Sequence, residues 1–318
     1  MVTKTDVVVV GAGPAGLTAA LYTGRARLET IIVEKMGPGG QLLNTELVED
    51  YMGFPSITGQ EMAEVFEKHA LAFGATVEYG TVTQIYSEGH EKVVLTEEGD
   101  EYRCKAVIVC SGGTATKLGV KGEIEFAGKG VSYCAICDGA FFKGQALAVI
   151  GGGDSAVEEA TFLTRYASEL YLIHRRDEFR AQKVLQERAF ANPKIKLVRS
   201  TVVEEIGGSK LVEWLRIKDL KTGETRELPV GGAFIYVGFT PSGDLFRDPI
   251  EKDALGFIIT DDKMETSQPG IFVAGDVRHQ FARQITNAVG DATIAAIAAT
   301  KLLESLEDQE RAAATAGS

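Results

Sequence analysis

The chain has 318 residues, enough for about two domains with substantial cores. Its 45% hydrophobic and 25% charged residues exclude wholesale disorder, and a net charge of −12 argues against nucleic acid or an anionic membrane as a main partner. Four cysteines, Cys104, Cys110, Cys134 and Cys137, are too few and too clustered for a secreted disulfide framework and leave room for one specialised cysteine site.

Glycine is in excess, about 11% against a usual ~7%, which points to tight turns and to backbone pressed against something. No apolar run approaches the ~20 residues of a membrane span, and no basic, apolar and small-residue pattern of a signal peptide is present, so cytoplasmic residence is expected.

In chain order, Asp6–Val10 reads as a buried strand, followed by the loop Gly11-Ala12-Gly13-Pro14-Ala15-Gly16 and an apolar helix to about Arg27. Thr30–Val33 is a second strand ending at Glu34. A helix over 60–73, a short strand and an alternating β-meander come next. The strand Ala106–Cys110 then runs into Ser111-Gly112-Gly113. The pattern repeats: strand Ala146–Ile150, loop Gly151-Gly152-Gly153-Asp154-Ser155-Ala156, a helix to about Tyr166, and strand Leu170–Ile173 ending at His174. A helix over 180–191, a second meander and strand Gly232–Val237 complete this copy. After Pro241 come only the strand Gly270–Ala274, the pair Gly275-Asp276 and one closing helix, with the residues from Glu307 onward expected to fray. Two such units predict an α/β fold with mainly parallel sheets.

Each glycine loop lies between a strand and a helix, where the first glycine makes the turn, the second admits a pyrophosphate to the backbone and the third lets helix and strand pack. The helix N-terminus supplies oriented N–H groups and partial positive charge. Glu34 lies 23 residues past Gly11, the place for a carboxylate on a ribose hydroxyl. At the same distance past Gly151 stands His174, with Arg175, Arg176 and Arg180 close behind. Guanidinium groups there suit a ribose 2′-phosphate and select NADP(H), although the same residues could form a solvated basic turn. Ala156 in place of the third glycine is an allowed variant. FAD at the first loop and NADPH at the second is the economical pairing, because two dinucleotides in one chain imply electron transfer between them.

Cys134-Ala135-Ile136-Cys137 is a C-x-x-C followed by Asp138-Gly139. Zinc needs four ligands, and no second pair of Cys or His completes such a set, so no metal is expected. The favoured reading is a redox dithiol, over a structural pair. Asp138 could move a proton to or from a thiol, or could serve an Asx-turn or helix cap. Cys104 and Cys110 read as core residues.

Together, Gly11–Gly16, Cys134–Gly139, His174–Arg180 and Gly275-Asp276 resemble the low-molecular-weight thioredoxin reductases of bacteria and archaea, over almost the whole chain. The resemblance implies two Rossmann-like, three-layer domains, the second inserted into the first. The FAD-binding domain would be 1–117 plus 246–318, and the NADPH-binding domain with the C-x-x-C would be 118–245. Gly11, Gly13, Pro14, Ala15, Gly16 and Glu34 would hold the FAD pyrophosphate and adenosine ribose, Gly40 and Gln41 would run beside the flavin, and Asp276, Arg283, Gln284 and Ile285 would meet its ribitol and ring. Gly151, Gly153, Asp154, Ser155 and Ala156 would take the NADPH pyrophosphate, with His174, Arg175, Arg176 and Arg180 around the 2′-phosphate. Cys137 would meet the flavin, and Cys134 would attack thioredoxin or a thioredoxin-like protein. A homodimer and a rotation of the inserted domain between two states are implied as well. Ile136, Asp50 and Cys110 depart from the family's usual Thr, Asn and Ala. Rival readings are a reductase for another disulfide protein or a peroxidase system, and a ferredoxin/flavodoxin–NADP reductase, which would leave the cysteine pair idle.

Overall fold

Four consecutive valines, Val7–Val10, form the middle of a five-stranded sheet and are all buried, as a parallel strand covered on both faces must be. The computed structural model describes residues 1–316. It divides into two units, one made of Met1–Thr114 and the chain from Thr240 onward, the other of Ala115–Phe239. The first unit is therefore discontinuous in sequence.

Its main sheet has the order Ile271–Val273, Ala106–Val109, Val7–Val10, Thr30–Glu34, Thr76–Tyr79, all parallel. The second unit repeats that order with Val131–Ser132, Gly232–Tyr236, Ala146–Gly151, Glu169–Ile173 and Ile195–Val198, again all parallel. In both, the strand that enters the glycine loop is central and its neighbours diverge from it, which opens a crevice at the carboxyl ends of the strands. Each unit adds a smaller sheet. In the first, Val82–Glu88, Glu91–Thr96 and Glu101–Cys104 are antiparallel, and Val2–Lys4 adds parallel to the last of them. In the second, Thr201–Gly207, Trp214–Asp219 and Thr225–Pro229 are antiparallel. The α/β fold expected from the sequence is the fold observed.

One core of the first unit lies between the helix Pro14–Arg25 and the last helix, Ile285–Ala316. Leu17, Ala19 and Ala20 of the former share a buried cluster with Ala292, Ala295, Ala296 and Ala299 of the latter. Alanine on both sides lets the two backbones approach closely. The run from Glu307, expected to fray, continues this helix through Ala316, and Gly317 and Ser318 lie outside the described residues. Helix-favouring Glu, Gln, Arg and Ala, with Arg311 paired to Glu307 one turn back, account for the extension.

Two elements were not legible as structure. Val131–Ser132 is a two-residue edge strand, and Ala135–Asp138 is a single helical turn laid over the cysteine motif. Enlarging Ala296, which is fully buried, to leucine must force the two helices apart. Ala296→Leu is expected to cost about 1–3 kcal/mol and lower the unfolding midpoint in denaturant without changing the slope of the transition.

Candidate functional site

In the first unit, Gly11 has φ +98, and a side chain there would meet the Cys110 carbonyl at 2.6 Å. Gly16, in the first turn of the following helix, sits so close that a Cβ would lie 1.8 Å from the Gly11 carbonyl oxygen. The N-cap, Gly13, offers no side-chain acceptor, and Pro14 brings no N–H, so the next N–H groups of the helix face the crevice without an internal partner. Gly39 N–H donates to the Ala12 carbonyl at 2.8 Å, which brings Gly39 and Gly40 against the loop. Glu34 is held by two backbone donors: Ala12 N–H to Oε2 at 2.7 Å and Met36 N–H to Oε1 at 2.9 Å. Its carboxylate is thus oriented beside the loop with lone pairs to spare for a ribose hydroxyl.

Gly275 packs against Ala15, where a Cβ would be 3.0 Å from the Ala15 methyl, so Asp276 enters the same crevice. Among the described residues the Asp276 carboxyl has no hydrogen-bond donor. It is pushed above the usual carboxylate range by burial, with Arg283 opposing and Asp291 adding to the shift. A sugar hydroxyl would supply the donor that this carboxyl lacks. The Gln280 side-chain amide, in the same segment, is also buried without a partner among the described residues. These orphaned groups and the glycine cradle fit a dinucleotide with a polyol arm such as FAD. The Arg283 guanidinium stacks 3.9 Å over the Phe257 ring, Gln284 is half-buried, and Ile285 begins the last helix. Gln41 is exposed and donates through Nε2 to the Gly113 carbonyl at 3.2 Å; Asp50 is exposed.

In the second unit a Cβ on Gly151 would lie 2.7 Å from the methyl of Ala156, so the missing side chain at the first loop position accommodates the alanine at the third. Gly153 is again an N-cap with no side-chain acceptor. Asp154 turns away from the loop: its Oδ1 accepts the Gln182 N–H at 2.7 Å, tying down the start of the next helix. Ser155 is exposed.

His174 differs from the three arginines near it. It is 5% exposed, its ring stacks on Phe179 at 5.1 Å, and its Nε2 contacts the Glu178 carbonyl at 3.1 Å. Burial, and then the arginine charges, hold its pKa below the ordinary histidine value. It is a neutral support under the loop. Arg175, Arg176 and Arg180 are exposed, and among the described residues no carboxylate pairs with them. The nearest acid in sequence, Asp177, is occupied by Lys221 at 2.6 Å. Arg180 N–H donates to the Gly152 carbonyl at 2.7 Å, which anchors the cationic segment to the phosphate loop.

Cys134 and Cys137 form a disulfide with Cα atoms 5.4 Å apart. Parallel pairing of Val131–Ser132 with Gly232–Tyr236 delivers Cys134 to the carboxyl end of the sheet, the end that also carries Gly151–Ala156. Cys134 caps the helical turn, its Sγ accepting the Cys137 N–H at 3.2 Å. The Ser132 hydroxyl donates to Asp138 Oδ2 at 2.6 Å and accepts the Cys134 N–H at 3.0 Å. Ala135 N–H donates to the Tyr236 hydroxyl at 2.8 Å, and burial pushes that phenol strongly up. Asp138 makes no side-chain bond to cap the turn that follows it, and the missing side chain at Gly139 makes room for Leu163. Ser132 and Tyr236 were missed from the sequence, because their link to the motif depends on strand pairing. Cys104 and Cys110 are buried, and burial pushes the Cys104 thiol up to about 12 and Cys110 higher still. Neither has a thiolate to offer.

Residues 5–292 match the model of the pyridine nucleotide-disulphide oxidoreductase family. Curated thioredoxin reductases are similar over nearly their whole length: one from Bacillus subtilis at 47% identity, covering 95% of this chain and 96% of that protein, and one from Listeria monocytogenes at 46%, covering 97% of each. Among solved structures, the thioredoxin reductase of Lactococcus lactis superposes with a TM-score of 0.93 at 46% identity, covering 95% of this chain and 99% of that one. That of T. acidophilum superposes with a TM-score of 0.90 at 36% identity, covering 94% and 98%.

The contact between Gly16 and Gly11 leaves no room for a methyl group. Gly16→Ala is expected to open the first loop and reduce the flavin retained through purification by at least about tenfold, as an orphaned pyrophosphate contact of ~1.4 kcal/mol or more implies. The measurement is the ratio of flavin absorbance to protein absorbance.

Proposed function

The chain belongs to the pyridine nucleotide-disulphide oxidoreductase family, and from that premise we propose that it is the NADPH-dependent reductase of a thioredoxin disulfide. The observation that carries this reading is the Cys134–Cys137 disulfide seated at the carboxyl end of the same sheet as a phosphate loop and its unpaired arginines. A ferredoxin or flavodoxin reductase would have no use for that pair. The net reaction is NADPH + H⁺ + thioredoxin disulfide → NADP⁺ + thioredoxin dithiol.

FAD, when bound, relays the electron pair of NADPH to the protein disulfide. We assign FAD to 1–117 and 246–318, with Gly11, Gly13 and Gly16 at its pyrophosphate, Glu34 at a ribose hydroxyl and Asp276 at the polyol. NADPH is assigned to 118–245, with Gly151, Gly153 and Ala156 at the pyrophosphate and Arg175, Arg176 and Arg180 at the 2′-phosphate. His174 keeps the arginine segment in place and contributes no charge.

Once the dithiol is formed, the two sulfurs differ. Cys134 occupies an N-cap and accepts the Cys137 N–H, an arrangement that stabilises negative charge on its sulfur. That favours Cys134 as the thiolate that attacks the partner disulfide, forming a mixed disulfide and releasing the partner's first thiolate. Cys137 then attacks the Cys134 sulfur, re-forming the Cys134–Cys137 disulfide and displacing the partner's second thiolate. Asp138, held by the Ser132 hydroxyl, is placed to pass protons to the departing thiolates. The dithiol lies in one unit and the flavin groups in the other, and the dithiol must also meet a protein partner. Rotation of the inserted domain about the paired crossings Gly113–Ala115 and Phe239–Pro241 supplies the alternation. We propose a homodimer resident in the cytoplasm, on the strength of the family likeness.

Three outcomes test this. Purified holoenzyme with NADPH is expected to reduce a thioredoxin disulfide, and Cys134→Ser to abolish turnover while NADPH still bleaches the flavin; turnover surviving in Cys134→Ser would refute the dithiol route. Removing all three guanidinium groups, in Arg175→Ala/Arg176→Ala/Arg180→Ala, is expected to raise KM for NADPH by about 100-fold or more, at roughly 1–1.5 kcal/mol per charge-assisted contact, and to leave KM for NADH almost unchanged. Ser132→Ala is expected to lower kcat about tenfold, the worth of one hydrogen bond to a carboxylate, with KM for NADPH unaltered in steady-state assays.

A further inference from the structure

The most anomalous charged side chain lies outside both dinucleotide loops and the cysteine motif. Lys92, on the middle strand of the small antiparallel sheet of the first unit, is only 6% exposed. Ladder pairing sets it directly between Ser87 and Cys104, so these three side chains form one row across three strands. Its stem runs along Gly270: a Cβ at that glycine would lie 2.7 Å from Lys92 Cε and 3.3 Å from Nζ. Among the described residues the ammonium has neither a hydrogen bond nor an ion pair. Glu265, the acid that does bear on it, is engaged elsewhere, its Oε1 accepting the Gly270 N–H at 2.8 Å. Burial accordingly holds the lysine pKa below its ordinary value.

Buried lysines are paired, or face something that pairs with them. Lys92 faces a cavity of about 240 Å³, shared with Ser87, His90 and Lys105 on the polar side and Leu302 and Leu306 of the last helix on the other. Among the described residues no carboxylate lines it. The acids of the same hairpin lie on the opposite register: Glu88 and Glu91 bind Arg103 at 3.0 and 3.2 Å. In a chain of net charge −12, a pocket with two lysines, a histidine and a hydroxyl and no acid is a local reversal of sign.

We propose that this cavity is a binding site for a small phosphate anion, free or as a phosphomonoester, with Lys92 as its buried counter-charge. Two ammonium groups, an imidazole and a hydroxyl exceed what one carboxylate can use and suit a tetrahedral dianion with several acceptor oxygens. Bound phosphate gives Lys92 a hydrogen-bonding counter-charge, where at present only the through-space pull of Glu265 among the acids opposes the effect of burial. The leucine wall would contact the organic part of a monoester and would be left uncovered by inorganic phosphate. This site shares no residue with either dinucleotide loop.

The test uses the full-length holoenzyme at constant ionic strength, titrated by calorimetry with inorganic phosphate, with glycerol phosphate and with acetate. Saturable binding of phosphate or glycerol phosphate, tenfold or more tighter than acetate, is expected; equal binding of acetate overturns the assignment. Tighter binding of glycerol phosphate than of inorganic phosphate identifies a monoester as the ligand, and the reverse order identifies the free anion. Lys92→Met, which keeps the packed stem, is expected to weaken binding at least tenfold with NADPH turnover unchanged. Should Lys92→Met fold poorly, Lys105→Gln on the cavity rim is expected to weaken binding at least threefold. Arg176→Ala is expected to leave this binding intact. Loss of binding in Arg176→Ala, with Lys92→Met or Lys105→Gln binding like the parent, would move the anion to the dinucleotide site and overturn the proposal.

Discussion

Parallel strand pairing governs the chemistry of this chain, because it sends the carboxyl ends of all the strands in a sheet to one edge. In the first unit that edge gathers Gly11–Gly16, Glu34 and Asp276, which come from strands separated by more than two hundred residues. In the second it gathers Gly151–Ala156, His174, Tyr236 and Cys134. The polar groups at each edge have no strand neighbour beyond them. They are therefore free to be shaped by loops and met by a ligand, as open α/β sheets require. The central strand of each sheet divides the loops to either side, and the glycines fall where helix, strand and loop approach within contact distance.

The two units keep the same strand order but differ in one edge strand, and that difference carries much of the functional distinction between them. In the first, the edge is Ile271–Val273, supplied by the C-terminal segment, and it leads into Gly275-Asp276. In the second, the edge is Val131–Ser132, supplied by the unit's own N-terminal segment, and it leads into the cysteine motif. One topological slot thus brings in a buried carboxyl, without a donor among the described residues, in one copy and a disulfide in the other. Because the first unit's slot is filled from beyond the second unit, the chain must leave and return, and the inserted arrangement is the consequence.

Features that act within a few residues were legible in the sequence. Both glycine loops, Glu34, the arginine cluster and the C-x-x-C are local patterns whose physics lies in spacing, and the strands that enter the loops are short apolar runs ending at glycine. Features that depend on pairing between distant segments were not. Nothing in a two-residue run marks Val131–Ser132 as a strand, and without that strand the hydrogen bond from Ser132 to Asp138 has no basis. The same holds for Tyr236 on Ala135 and for Arg278 on Asp291, at 2.9 Å, beside the Asp276 turn. His174 illustrates a different limit. Its spacing matched the ribose-binding position, but spacing does not report which way a ring points, and stacking on Phe179 turned it inward. The C-terminal run from Glu307 looked like a tail because its composition changes; its helix propensity, continuous with a helix already nucleated, decided otherwise.

Burial sorts the four cysteines more firmly than sequence could. Cys104 and Cys110 sit under strands with their thiols pushed well above neutrality, so at physiological pH they pack as small apolar groups. Cys137 is exposed and Cys134 partly so, at the mouth of a crevice with a helical turn aimed at the sulfur of Cys134. A thiol in the first environment resists oxidation, whereas one in the second forms and breaks disulfides readily. The chain can therefore hold two further thiols without scrambling its redox pair, because the dry interior keeps them protonated. Reactivity is confined to the one turn that carries the disulfide, where the Cys137 N–H meets the Cys134 sulfur.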